Sequence, residues 1–309
     1  MRRFTDEPLL VILEHLNARC VDGRERVTIE VLDPDLGVGR YAGERVEHEG
    51  RPHVHRPFRL WVDLAERLGL RLFTPRVHTP GFIALTFEAL DPTQRWQGTA
   101  VPEVSEKYGM DSGYQRISKL EDPGLIVDLA DALERAELGD DARVLDLGIN
   151  TGDEFTLLSA LSEPLRRSGS FVGVDHSATA IARARERFDP SRHEFIEADL
   201  GALSGLELGR FDLVLSLGTL QSPGVDDREV LRDIVQHRLP RAGTVILGIP
   251  NCRYLDGEVE YGARMKNFRQ PDLSLLIKGV AFYRKYLQQH RFRVFVTGKH
   301  YVLVTGVRR

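Results

Sequence analysis

The 309-residue sequence predicts an α/β fold in which a mostly parallel sheet follows a small N-terminal α/β unit. Three observations carry this expectation. Short apolar runs such as Val144-Leu145-Asp146-Leu147 and Phe171-Val172-Gly173-Val174 have the pattern of strands buried on both faces. Each is followed by turn residues and then a helix with apolar residues on one face, as in Phe155, Leu157, Leu158 and Leu161. Between the first strand and its helix, Gly148, Asn150 and Gly152 make a turn, and Asp153 opens the helix. Strand, glycine-rich turn and helix form the unit in which α/β proteins hold nucleotide-like ligands.

Composition narrows the function classes. A hydrophobic content of 42% and a charged content of 28% are ordinary for a soluble globular protein. No apolar run reaches membrane-spanning length. Asp6 and Glu7 directly after Arg2 and Arg3 argue against a signal peptide. Cys20 and Cys252 make neither a disulfide framework nor a zinc site, and a reducing cytoplasm is the expected compartment. The net charge of −4 is unevenly spread: residues 1–120 carry −1, 121–250 carry −11 and 251–309 carry +8. The basic C-terminal stretch suits an anionic acceptor, or is simply a basic sheet edge and helix.

Residues 1–92 read as a separate small α/β domain of unknown role. A helix is expected over residues 8–17. Val27, Ile29 and Val31 alternate with polar residues as in a half-buried strand. Leu60, Trp61, Leu64 and Leu68 share a helical face, and residues 70–73 and 82–87 read as further strands. The run from Gly37 to Gly43 has the wrong spacing for a phosphate loop and reads as a turn. His48, His53, His55 and His78 lack cysteines or carboxylates in ligand spacing, so a solvated loop is expected and no metal. With Arg51, Arg56 and Arg59 they make a polar face available to a substrate. Residues 93–121 lack periodicity and read as a linker or lid, with Lys107, Tyr108, Asp111, Tyr114 and Arg116 concentrated just before the next domain.

The larger domain spans residues 122–309, opening with a helix that places Leu125, Leu129 and Leu133 on one face. The second strand ends in Asp175, and Ser177 is an N-cap for the helix after it. A third strand ends in Ala198-Asp199-Leu200, and a fourth, from Phe211, runs into Ser216-Leu217-Gly218-Thr219-Leu220-Gln221. A helix over 225–238 precedes a fifth strand from Thr244 to Ile249. A polar loop then runs from Pro250 to about Gln270, followed by a helix and two β-rich runs, Arg291 to Thr297 and His300 to Val307.

The arrangement Asp146-x-Gly148-x-Asn150-x-Gly152 resembles motif I of the class I S-adenosylmethionine-dependent methyltransferases. The later motifs follow in order over about residues 107–309. The resemblance implies a Rossmann-like sheet of seven mostly parallel strands with an antiparallel last strand, and S-adenosylmethionine as cofactor. It implies that Asp146 lies near the cofactor's amino group, that the positions of Gly148, Asn150 and Gly152 contact its methionine part, and that Asp175 accepts hydrogen bonds from the ribose hydroxyls. It further implies that Asp199 and Leu200 meet the adenine and that the loop from Ser216 lies under the methyl. Arg116 is a candidate partner for the cofactor's carboxylate.

The acceptor is less specified. The fourth-strand loop lacks the Asn/Asp-Pro-Pro-aromatic run of base amino-methyltransferases, which favours a small-molecule acceptor. RNA is the alternative, resting on the basic C-terminal stretch, and a non-catalytic cofactor-binding protein is the third reading. Asn251, Arg253, Tyr254, Arg264 and Lys266 are candidate acceptor-binding residues, because loops after strand ends face the ligand crevice. Tyr108, Tyr254 and His300 are weak candidates for a general base, which only an acceptor protonated at neutral pH requires.

Overall fold

Sixteen strands and eight α-helices fall among residues 1–96, 103–262 and 273–308, the residues described by the computed structural model. They divide into two compact units, Met1–Arg95 with Tyr254–Glu260, and Trp96–Arg253 with Tyr261–Arg309.

In the first unit, β1 (Arg2–Arg3), α1 (Leu9–Leu16), β2 (Val27–Leu32), β3 (Arg45–His48), β4 (Arg51–Val54), α2 (Phe58–Leu68), β5 (Leu70–Leu72), β6 (Arg76–Thr79) and β7 (Phe82–Ala89) follow in order. The sheet runs β1-β2-β7-β5, with β6 also paired to β7. Apolar residues at helical spacing bury Ile12 and Leu16 of α1 and Trp61 and Leu64 of α2 against Ile29, Leu85 and Phe87 of the sheet. β2 is buried along nearly its whole length, more than a half-buried strand.

The histidines correct an expectation. Two of the four do not lie in solvent: His53 and His55 are buried, as is Arg56, whereas His78 is exposed. The β3–β4 hairpin carries His48 and His53 onto Phe82, each with ring centroids 5.6 Å away, and His53 Nδ1 pairs with the Arg51 carbonyl at 3.0 Å. A neutral imidazole is flat enough to pack as an aromatic ring, which one-dimensional polarity does not reveal. Arg56 likewise gives its guanidinium to the Glu7 carbonyl rather than to solvent.

The second unit continues with α3 (Pro123–Ala136), β8 (Arg143–Leu147), α4 (Asp153–Leu161), α5 (Glu163–Ser168), β9 (Ser170–Asp175), α6 (Ala178–Arg187), β10 (His193–Glu197), β11 (Leu213–Leu217), α7 (Asp227–Asp233) and β12 (Thr244–Pro250). A two-stranded hairpin, β13 (Cys252–Leu255) and β14 (Glu258–Tyr261), has its tip in the first unit, where Arg71 pairs with Asp256 and Glu258. Then come α8 (Ser274–Gln289), β15 (Arg293–Gly298) and β16 (Tyr301–Val307).

The seven-stranded sheet has the order β10-β9-β8-β11-β12-β16-β15. The pairs from β10 to β12 are parallel, and β16 is antiparallel to both neighbours. The strand order reverses at β8, so the crevice of this open sheet lies at the C-terminal end of β8. The two-residue period of β8 separates its side chains between the faces. Leu145 and Leu147 face the core under α7 and α8, and Val144 faces the core under α3, α4 and α6. Asp146 shares the second face with Val144, so burial of this acid follows from register.

Candidate functional site

The turn at the end of β8 is built by hydrogen bonds to β9. Gly148 N–H donates to the Val174 carbonyl at 2.7 Å, and Asn150 N–H donates to Asp175 Oδ2 at 2.9 Å. Asp175 Oδ1 accepts from Ser177 N–H at 2.9 Å, and Ser177 Oγ caps α6 by accepting from Ala180 N–H at 3.2 Å. Asn150 has φ 51°, a left-handed conformation that Asn tolerates better than other non-glycine residues. Gly148 has φ 91°, and a Cβ there would stand 1.9 Å from Thr219 Oγ1, so glycine lets the loop after β11 approach this turn. At Gly152, φ 92°, a Cβ would meet the Phe188 ring at 2.3 Å.

Asp146 is fully buried, and neither carboxylate oxygen has a hydrogen-bond partner among the described residues. Burial, then the neighbouring Glu154 charge, pushes its pKa well above the ordinary carboxylate range. Glu154, at the start of α4, is buried and ion-paired to Lys119, whose side chain is 10% exposed. Burial works against the Lys119 charge, but the Glu154 carboxylate more than offsets it and raises its pKa. One ammonium therefore faces two buried carboxyls.

Residues 103–121 form three short 3₁₀ turns, Val104–Tyr108, Gly113–Arg116 and Lys119–Glu121. They make a strap fastened to the site at three points. The Asn150 amide donates to the Tyr108 carbonyl at 2.7 Å and accepts from Gln115 Nε2 at 3.0 Å. The Glu106 carboxylate accepts from Ser177 Oγ at 3.0 Å, from Thr179 N–H at 3.3 Å and from the Thr179 hydroxyl at the start of α6. Although burial opposes its charge, these bonds hold the Glu106 pKa below its usual value. The Tyr108 side chain bonds Ser222 in the loop after β11. Trp96, Tyr108 and Tyr114 pack together with centroids 5.2–5.4 Å apart, Tyr114 edge to face with each of the other two.

The sequence candidates divide. Asp146, Gly148, Asn150, Gly152 and Asp175 converge at the end of β8. Leu200 is buried just beyond β10, while Asp199 is exposed and caps a 3₁₀ turn by accepting from Gly201 N–H at 2.6 Å. Ser216 is committed to the sheet, its hydroxyl donating to the Leu147 carbonyl at 2.9 Å. Arg116 is exposed, and the cation brought against Glu154 and Asp146 is Lys119, which the sequence did not single out. Burial raises Tyr108 to about 12, so at neutral pH it is a phenol and not a ready general base.

Asn251 is buried and clamps the β15–β16 turn, with its N–H on the His300 carbonyl at 2.7 Å and its Nδ2 on the Lys299 carbonyl at 3.0 Å. His300 lies in that turn, and its ring centroid is 6.5 Å from that of Tyr261. Arg253 lies in β13, and Tyr254 falls in the hairpin tip grouped with the first unit. Arg264 and Lys266 lie outside the described residues.

Residues 144–240, from β8 to the start of β12's approach, match the family described as "Methyltransferase domain". This segment therefore reads as a methyltransferase domain. The match covers four parallel strands together with the turn at Gly148 and Asp175. No curated protein gives a significant match to this chain. Among solved structures, the chain is similar to an S-adenosylmethionine-dependent methyltransferase from Aquifex aeolicus at 17% identity, covering 62% of this chain and 96% of the other, TM-score 0.43. A methyltransferase from Mesorhizobium loti matches at 20% identity, covering 59% and 100%, TM-score 0.40. One from Thiobacillus denitrificans, in complex with S-adenosyl-L-homocysteine, matches at 23% identity, covering 63% and 73%, TM-score 0.41. Among the described residues, no helix of the methyltransferase is long and apolar enough to cross a membrane.

Proposed function

We propose that the methyltransferase domain transfers its methyl to a small-molecule acceptor held between the strap and the loop after β11. The observation that carries this reading is the strap itself. Tyr108 is tied by its carbonyl to Asn150 of the β8 turn and by its side chain to Ser222, and its ring packs against Trp96 and Tyr114. A crevice roofed in this way suits a compact acceptor better than a polymer.

S-adenosylmethionine brings a sulfonium-activated methyl. The acceptor atom forms the new bond to carbon as the carbon–sulfur bond breaks, and the electron pair stays on sulfur. The protein's part is alignment and exclusion of water. Asp146 fits the cofactor: a buried carboxyl lacking a partner is complementary to an α-ammonium. Gly148 and Gly152 let the backbone come close, and Asp175 keeps acceptor capacity for ribose hydroxyls beside its two amide bonds. Leu200, with Asp199 at the turn it opens, borders the adenine end.

A consequence in protons follows from Asp146. With its pKa raised, Asp146 holds a proton to higher pH than a free carboxyl. An incoming ammonium favours the carboxylate, so cofactor binding should release a proton where Asp146 is still protonated. Calorimetry in buffers of different ionisation enthalpy should show this release, and Asp146→Asn should abolish it. An enthalpy independent of buffer across pH 5–8 would remove Asp146 from the role.

The acceptor class is tested by label transfer. Methyl-labelled S-adenosylmethionine is incubated with the protein and a lysate of cells lacking it. Label is expected in the small-metabolite fraction. Label confined to RNA would overturn the small-molecule reading.

A further inference from the structure

At the other end of the sheet from the methyl-transfer crevice lies a cleft of about 410 Å³ lined by Arg210, Arg241, His290, Arg291, Arg308 and Val235, together with Gln236 and Leu239. Arg210 precedes β11, Arg241 precedes β12 and Arg308 follows β16, which places the cleft at the N-terminal ends of the parallel strands. Four arginines line it, and among the described residues no Asp or Glu does. None of the four is ion-paired among the described residues. We infer that this cleft is a binding site for a phosphate ester or pyrophosphate group of a small molecule.

Arg308, Arg210 and His290 are held in place by backbone carbonyls rather than by carboxylates. Arg308 donates from Nε to the Arg241 carbonyl at 2.8 Å and from Nη2 to the Pro240 carbonyl at 2.6 Å, and stacks 4.6 Å over the Phe292 ring. Arg210 Nη1 donates to the Leu239 carbonyl at 3.1 Å. His290 Nδ1 pairs with the Tyr286 carbonyl at 2.9 Å. Carbonyl bonds orient a guanidinium and leave its charge and remaining N–H groups for a ligand, the arrangement that suits planar, multidentate recognition of phosphate. Burial, and next the charge of Arg210, work against the charged form of Arg308, a penalty that a bound anion relieves. Arg291 sits at φ 68°, where a glycine would be easier, so the backbone holds an arginine at a strained position beside the cleft. A concave cleft, rather than an extended basic stripe, favours a compact polyanion over a nucleic-acid backbone.

The test is titration of the full-length protein with sodium pyrophosphate at low ionic strength, followed by calorimetry and thermal unfolding, with chloride at matched ionic strength as control. Saturable binding and a rise in melting temperature are expected with pyrophosphate only. Arg241→Glu should weaken binding by about tenfold or more, since it replaces an exposed cation with an anion. Arg291→Gly should melt higher without ligand, because strain is relieved, yet lose most of the pyrophosphate response. Absence of binding in the wild type, or an equal response in wild type and both variants, would overturn the inference. A single-stranded RNA that binds where pyrophosphate does not, and is lost in the same variants, would overturn it in favour of a phosphodiester backbone.

Discussion

Lys119→Met is expected to destabilise the protein by about 3–5 kcal/mol, the usual cost of removing one partner of a buried ion pair. The Lys119 side chain is 10% exposed and that of Glu154 2%, so solvent screens the pair little. Without the ammonium, Glu154 keeps a buried charge beside Asp146, whose carboxylate has no hydrogen-bond partner among the described residues. The loss should therefore exceed the packing change from lysine to methionine. The double variant Lys119→Met, Glu154→Gln removes the uncompensated charge and should recover most of the stability. Denaturant unfolding of the wild type and both variants measures this. A single-variant loss under about 1 kcal/mol, or a double variant no better than the single, would show that the pair does not hold the site together.

Asp175→Ala should weaken binding of S-adenosyl-L-homocysteine by about 1–3 kcal/mol, or roughly 5- to 150-fold. Two effects act together. The ribose hydroxyls lose a charged acceptor. The turn also loses the acceptor for Asn150 N–H and Ser177 N–H, which joins the end of β8 to the start of α6. Asp175→Asn separates them, because the amide oxygen can still accept one backbone N–H while the charge is gone. Calorimetry should place Asn between wild type and Ala. Unchanged affinity in both variants, with unfolding intact, would contradict the ribose assignment.

The parts of the site that were legible in the sequence are those set by local pattern. The apolar run ending in Asp146, the turn glycines, the acid ending β9 and the Ser177 cap depend on residues within a few positions of one another. The seven-stranded sheet with an antiparallel last strand follows the class resemblance, and β16 is that strand. What was not legible depends on side chains meeting across distant segments. Lys119 and Glu154 are 35 positions apart, and Glu106 reaches Thr179 over 73. In sequence, Glu154 reads as an ordinary acid in a first helical turn and Lys119 as a solvated cation. Asn150 was legible as a tolerated left-handed residue, but its amide's hold on Tyr108 and Gln115 was not. That contact gives a physical reason for Asn where a third glycine is usual. The buried histidines of the first unit fail for the reverse reason, because ring packing on Phe82 overrides their polarity.

The central claim is that cofactor binds at the C-terminal end of β8 beneath the strap. Hydrogen–deuterium exchange with and without S-adenosyl-L-homocysteine tests it directly. Protection should concentrate in residues 103–117, 147–153, 175–179 and 199–201, the strap and the three turns at the strand ends. Protection elsewhere in the chain, with these segments unchanged, would contradict the placement of the site.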